Sequence, residues 1–142
     1  MISVLFAVAP AASAHSSPDR GAIPNYIPCS SLGSPFVVDS ASAGLSGGGE
    51  AYAELWEVPD AVTGAPCRWY AHAIESGGPS GTLAAYLMQT GNLGSCNNLA
   101  TAASVSTSGT ANVYTSRVAA TTPVRAKTLI NGSTVVQTSC VS

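Results

Sequence analysis

Charge is scarce in this chain: five Lys and Arg stand against seven Asp and Glu in 142 residues, 8% of the total, where an average soluble domain carries about a quarter. So few cations cannot neutralise a run of phosphates, which excludes nucleic acid as a natural partner, and they are too few to hold the chain on an anionic membrane surface. Histidine is nearly absent, with only His15 and His72, so the multi-histidine zinc sites of many hydrolases cannot be built. No C-x-x-C pair occurs, and structural zinc normally takes its cysteines in such close pairs, so no metal or other cofactor is expected. Nor does any apolar run reach the about 20 residues of a bilayer-spanning helix, so the mature chain is expected to have no membrane span.

What is present points outward from the cell. Ile2 to Val8 is a short apolar run, and Ala12-Ser13-Ala14 has the small-x-small form of a signal-peptidase site, although no Lys or Arg precedes the run as is usual. Residues 1–14 are therefore expected to be a signal peptide and residues 15–28, punctuated by Pro18, Pro24 and Pro28, a flexible leader. Residues 29–142 are expected to form one secreted, extracellular domain. Its four cysteines, Cys29, Cys67, Cys96 and Cys140, are even in number and spread over the whole domain, which in an exported chain implies two disulfides. Three pairings are possible; Cys29 with Cys67 and Cys96 with Cys140 is preferred. Each bridge would close about 40 residues and contribute roughly 4 kcal/mol in the chain-entropy model.

The pattern along the domain is that of short strands. Phe36 to Val38 is apolar, and Ser40 to Gly49 is a Ser/Ala/Gly tract expected to be a flexible loop. Ala51 to Val58 alternates as a strand with Tyr52, Glu54, Trp56 and Val58 on one face, although helical spacing would instead group Tyr52, Leu55 and Trp56 before Pro59. Pro59 to Pro66 connects to a strand over Arg68 to Ser76, and Gly77 to Gly81 is a turn. Thr82 to Thr90 is apolar on both faces, Gly91 to Asn98 is a polar loop, and Asn112 to Ala120 reads as one strand with Val113, Thr115 and Arg117 opposite Tyr114, Ser116 and Val118. Val124 to Ile130 and Thr134 to Val141 flank Asn131-Gly132, the dipeptide of a type I′ hairpin turn. The expected fold is all-β: a small antiparallel β-sandwich or barrel with two disulfides.

Few residues look chemical. Gly44-Leu45-Ser46-Gly47-Gly48 matches G-x-S-x-G and is followed by Asp60 and His72, but the nucleophile elbow needs a strand, a helix and a large parallel sheet, so the match is read as chance within a Gly/Ser tract. His72 could pair with Glu54 or Glu57 as an acid/base couple. The acidic set Glu50, Glu54, Glu57 and Asp60 otherwise reads as a solvated edge that discourages strand pairing. Tyr52, Trp56, Trp69 and Tyr70 either fill a core or, if some lie on an open face, form a platform for sugar rings or a peptide. Asn131-Gly132-Ser133 is also a glycosylation acceptor pattern, but the turn already accounts for Asn-Gly.

The Ala/Ser/Gly/Thr-rich, Lys-poor composition resembles that of small exported proteins of high-GC actinobacteria. Among four-cysteine proteins of that kind, the cysteine spacing does not match the close pairs of subtilisin-inhibitor or neocarzinostatin-type domains, so no site transfers. The function expected is a non-enzymatic binding module or a cell-surface or structural protein, whose partner is a carbohydrate, a peptide or a cell-surface component. A small hydrolase using Glu54, Glu57 or His72 and a protease inhibitor presenting the Gly77 to Gly81 loop are the alternatives.

Overall fold

The computed structural model describes residues 29–77, 81–90 and 94–142; the expected signal peptide and leader lie outside them. Among the described residues nine strands run in the order β1 (Phe36–Gly44), β2 (Glu50–Pro59), β3 (Pro66–Glu75), β4 (Thr82–Gln89), β5 (Ala100–Ser108), β6 (Asn112–Tyr114), β7 (Val118–Ala119), β8 (Val124–Ile130) and β9 (Ser133–Gln137). They form two antiparallel sheets, one ordered β1-β2-β3-β6 with β7 also on β3, the other β9-β8-β4-β5. The sheets pack face to face, so the fold is a sandwich and not a closed barrel. No helix of the described residues is long and apolar enough to cross a membrane.

Period-two alternation explains which side each strand buries. Along β2, Ala51, Ala53 and Leu55 are fully buried, while Tyr52, Glu54 and Trp56 point outward and are half-buried. The strand reading of Ala51 to Val58 therefore holds, and the helical spacing does not. On β3 the inward residues are Trp69, Ala71 and Ala73; the facing sheet supplies Leu83, Ala85 and Leu87 from β4 and Val124 and Ala126 from β8. Alanines opposite Leu and Trp side chains let the side chains of the two sheets interdigitate. The polar atoms carried into this layer are paired: Trp69 Nε1–H donates to Thr121 O (2.9 Å), and Thr128 Oγ1–H crosses between sheets to Tyr52 O (2.7 Å). The other face of β4 is only partly covered, with Tyr86 and Met88 half-buried.

Three expectations are corrected. Ser40 to Gly49 is not a loop throughout: Ser40 to Gly44 continues β1 and pairs residue for residue with Glu54 to Glu50. Small side chains bury little surface, but the ladder to the anchored strand β2 compensates. Only Leu45 to Gly49 turns, closed by Leu45 N–H to Gly49 O (3.1 Å). Gly49, at φ 84°, is required there because a Cβ would run into the Ser76 backbone. Ala100 to Ser108, a segment with no sequence expectation, is strand β5 on the edge beside β4, its only apolar beat being the half-buried Ala103 and Val105.

The other two corrections concern strand ends. Asn112 to Ala120 splits into β6 and β7, and the strand expected over Thr134 to Val141 stops at Gln137. The two breaks share one cause. Thr115 Oγ1 accepts the Ala71 N–H (3.0 Å) and Thr138 Oγ1 accepts the Ala126 N–H (3.0 Å), so in each case a buried hydroxyl replaces the main-chain carbonyl of a regular ladder. Each threonine returns its own N–H to the same alanine's carbonyl (2.9 Å). Side-chain to backbone bonding of this kind is how threonine competes with secondary structure.

The Asn131-Gly132 hairpin forms as expected, with φ 51° and 86° at the two residues, and Asn131 Oδ1 also accepts the Thr82 N–H (3.0 Å). Both disulfides have the preferred pairing. Cys29–Cys67 spans 38 residues and ties the start of the described chain to β3; Cys96–Cys140 spans 44 and ties the β4–β5 connection to the C-terminus.

Replacing Thr138 by Val keeps the shape but strands the buried Ala126 N–H, and is expected to lower stability by about 1–3 kcal/mol in urea denaturation. Removing the Cys96–Cys140 bridge by a double Cys-to-Ser change is expected to cost up to roughly 4 kcal/mol, read from the same experiment.

Candidate functional site

The antiparallel register of β2 and β3 sets Glu54 opposite His72, Trp56 opposite Tyr70 and Tyr52 opposite Ile74, all on the outer face of their sheet. On one side β1 adds Ser40 opposite Glu54 and Ser42 opposite Tyr52; on the other, β6 adds Tyr114 opposite His72 and Asn112 opposite Ile74. The face is thus a grid of aromatic and polar side chains at cross-strand spacing, close enough for direct pair contacts.

Those contacts are extensive. Trp56 and Tyr70 stack with centroids 5.6 Å apart and planes 15° apart. The Arg117 guanidinium lies 5.4 Å from the Tyr70 centroid, a cation–π geometry. His72 stacks on Tyr114 at 3.9 Å and 8°, and Tyr114 meets Tyr70 at a tilt, 6.2 Å away. Tyr70 is therefore enclosed, at 8% exposure, whereas Tyr114 is 54% exposed at the sheet edge.

His72 bridges two polar groups: Nδ1 is 2.7 Å from Glu54 Oε1 and Nε2 is 2.8 Å from Asn112 Oδ1. An ionised carboxylate only accepts, so the Nδ1–H is the donor to Glu54 Oε1. Burial of the Glu54 carboxyl opposes its ionisation, but hydrogen bonds from His72 and from Trp56 Nε1–H (2.9 Å) outweigh it and hold Glu54 below the usual carboxylate range. Both ring nitrogens of His72 are engaged, and among the described residues no hydroxyl or thiol contacts either. The imidazole is thus fixed between Glu54 and Asn112, whereas a proton-transfer couple would need a free nitrogen facing the substrate.

The candidate residues from the sequence divide between faces. Glu54, His72, Trp56 and Tyr70 come together. Trp69 and Glu57 point to the opposite side of the same strands and are fully buried. Tyr52 is on the outer face, but its hydroxyl donates to Glu50, away from the aromatic cluster. Asp60 turns inward on its own loop, where Thr63 and Val62 N–H groups bond its carboxylate and lower its pKa. Ser46 sits in the β1–β2 turn, at a cleft of about 310 Å³ that it lines with Leu45, Glu75, Ile130, Asn131 and Val135. Ser46, Asp60 and His72 therefore belong to three separate surroundings and form no triad. Among the described residues no group of three or more His, Cys, Asp or Glu gathers as a metal site.

Asn112, Tyr114 and Arg117 were missed from sequence. Alternation does put Asn112 and Tyr114 on one face, and this was the available signal. Arg117 has the opposite parity in an unbroken strand; the break at Thr115 shifts the chain by one position and turns Arg117 onto the Tyr114 side. Compared with protein-family models, curated proteins and solved structures, the chain matches none.

Glu54→Gln tests the network. Because the folded carboxyl titrates below its unfolded value, its stabilising effect is fully present above the ordinary carboxylate range and is lost as pH falls through the folded pKa. The variant is expected to be less stable than the parent at pH 7, with the gap closing as pH is lowered toward 3, measured as urea midpoints across pH.

Proposed function

We propose that this chain is a secreted, disulfide-stapled β-sandwich acting as a non-enzymatic binding or cell-surface module, and that it meets its ligand with the outer face of the β1-β2-β3-β6 sheet. The observation that carries this reading is the placement of Tyr114: a large aromatic ring 54% exposed, held by stacking on His72 and flanked by Arg117 and Asn112, which are also exposed. Aromatic rings with polar neighbours supply much of the contact energy where proteins bind ligands. Here the ring is immobilised before any ligand arrives, which lowers the ordering cost of binding. Export is supported by the paired cysteines and by the apolar N-terminal run ending in Ala12-Ser13-Ala14.

A hydrolase reading is favoured only by the 2.7 Å contact between Glu54 and His72. Glu57 lies on the inner face and cannot act with them at one surface site. An inhibitor loop over Gly77 to Gly81 falls largely on residues outside those described.

A screen of extracellular glycans and peptides tests the binding reading. At least one ligand is expected to bind the parent and to lose tenfold or more in affinity with Tyr114→Ala at unchanged thermal stability; ligands indifferent to that change would refute the reading. Because Trp69 is buried and Trp56 half-buried, the accompanying fluorescence change should come from Trp56 and vanish in Trp56→Phe.

A further inference from the structure

Building on that binding face, we infer that its ligand is an acidic polysaccharide, with a sugar ring on Tyr114 and a uronate carboxylate held by Arg117 and Arg68.

The charge on the face is uneven. Arg117 is exposed, lies over Tyr70 and makes no ion pair with any described residue. Arg68 is on the same outer face: β7 sets Ala119 opposite Arg68 and Val118 opposite Trp69, so Arg117, next in line, is diagonal to Arg68, a spacing of about 7–8 Å. One Arg68 donor is taken by the Cys67 carbonyl (3.0 Å) and the rest of the guanidinium is uncommitted. Two of the chain's five basic residues therefore stand at the Tyr70 end with no carboxylate to neutralise them. Of the acids on this face, Glu54 is already engaged by His72 and Trp56, and Glu50 is at the far end with Tyr52. The complement of this end is an anion. A guanidinium stacked on an aromatic ring is pre-oriented, and its planar fork matches a carboxylate in two parallel hydrogen bonds.

The rest of the face selects the group carrying that carboxylate. Tyr114 offers a partly open ring, against which the C–H face of a pyranose can lie. Beside Tyr114 stands Asn112, and across the face, on the strands beyond His72, lie further hydrogen-bonding groups suited to hydroxyls: Glu54 Oε2, since both protein bonds to Glu54 use Oε1, and Ser40 and Ser42 on β1. A bound peptide would call instead for strand addition along a sheet edge or a groove with side-chain pockets, whereas these side chains stand on the outer face of the sheet. Two guanidiniums are too few for a nucleic-acid backbone.

The test uses three probes against the full domain: polygalacturonate, fully methyl-esterified polygalacturonate, and polyglutamate, by isothermal titration with amide chemical-shift mapping of the parent protein. The expected result is binding of polygalacturonate with shifts on β2, β3 and β6. Arg117→Gln and Tyr114→Ala should each weaken it at least tenfold, esterification should remove most of it, and Lys127→Gln on the opposite sheet should leave it unchanged. Equal binding of the esterified polymer through Tyr114 would overturn the acidic-ligand inference while leaving the binding face intact. Equal binding of polyglutamate would overturn the sugar component. Binding of no probe, or shifts confined to other surfaces, would overturn the inference outright; whether the face binds anything is decided separately by the Tyr114-dependent screen.

Discussion

The antiparallel ladder between β2 and β3 is the constraint from which the rest follows. Its register sends Ala51, Ala53 and Leu55 inward beside Trp69, Ala71 and Ala73, and so sends Glu54, Trp56, Tyr70 and His72 outward together. Because side chains alternate with period two, a slip of one residue would expose Trp69 and bury the Glu54–His72 pair. Core and site are two sides of one pairing, and neither could be moved without the other.

Around that ladder the protein works with small means. Its inner layer is rich in alanine, and its charged residues are too few for a network of surface ion pairs. What it adds is covalent and local: two bridges that each close a long loop, and threonine hydroxyls that finish the ladders of β3 and β8 where a regular strand would have to continue. Ending β6 at Tyr114 has a second effect, since the short edge strand leaves that ring half in solvent and lets Arg117 fold back over Tyr70. An interruption in the sheet thereby creates the most exposed part of the candidate site.

Scarcity of charge also gives meaning to the few charges present. Within the aromatic face one carboxylate is saturated on one oxygen and one imidazole on both nitrogens, leaving the guanidiniums of Arg68 and Arg117 as charges without a carboxylate partner among the described residues. A surface of this kind is pre-arranged, because its rings hold one another and its polar atoms are already oriented.

Much of this was legible from residue order alone, and the reason is locality. Alternation over Ala51 to Val58 and Arg68 to Ser76, Asn131-Gly132 at a turn, and an even set of dispersed cysteines are properties of neighbouring residues or of composition, and they determined an all-β domain with two disulfides and this hairpin. Where side-chain signals were faint, as in Ser40 to Gly44 and Ala100 to Ser108, strand formation depended on a partner ladder distant in the chain, which only the tertiary structure supplies. The site was decided at the same level. Local alternation placed Glu54 and Trp56 on one face, but it took the pairing of β2, β3 and β6 to put His72 between Glu54 and Asn112. It took the break at Thr115 to bring Arg117 over Tyr70, and burial against the second sheet to separate Trp69 and Glu57 from the residues they adjoin in sequence.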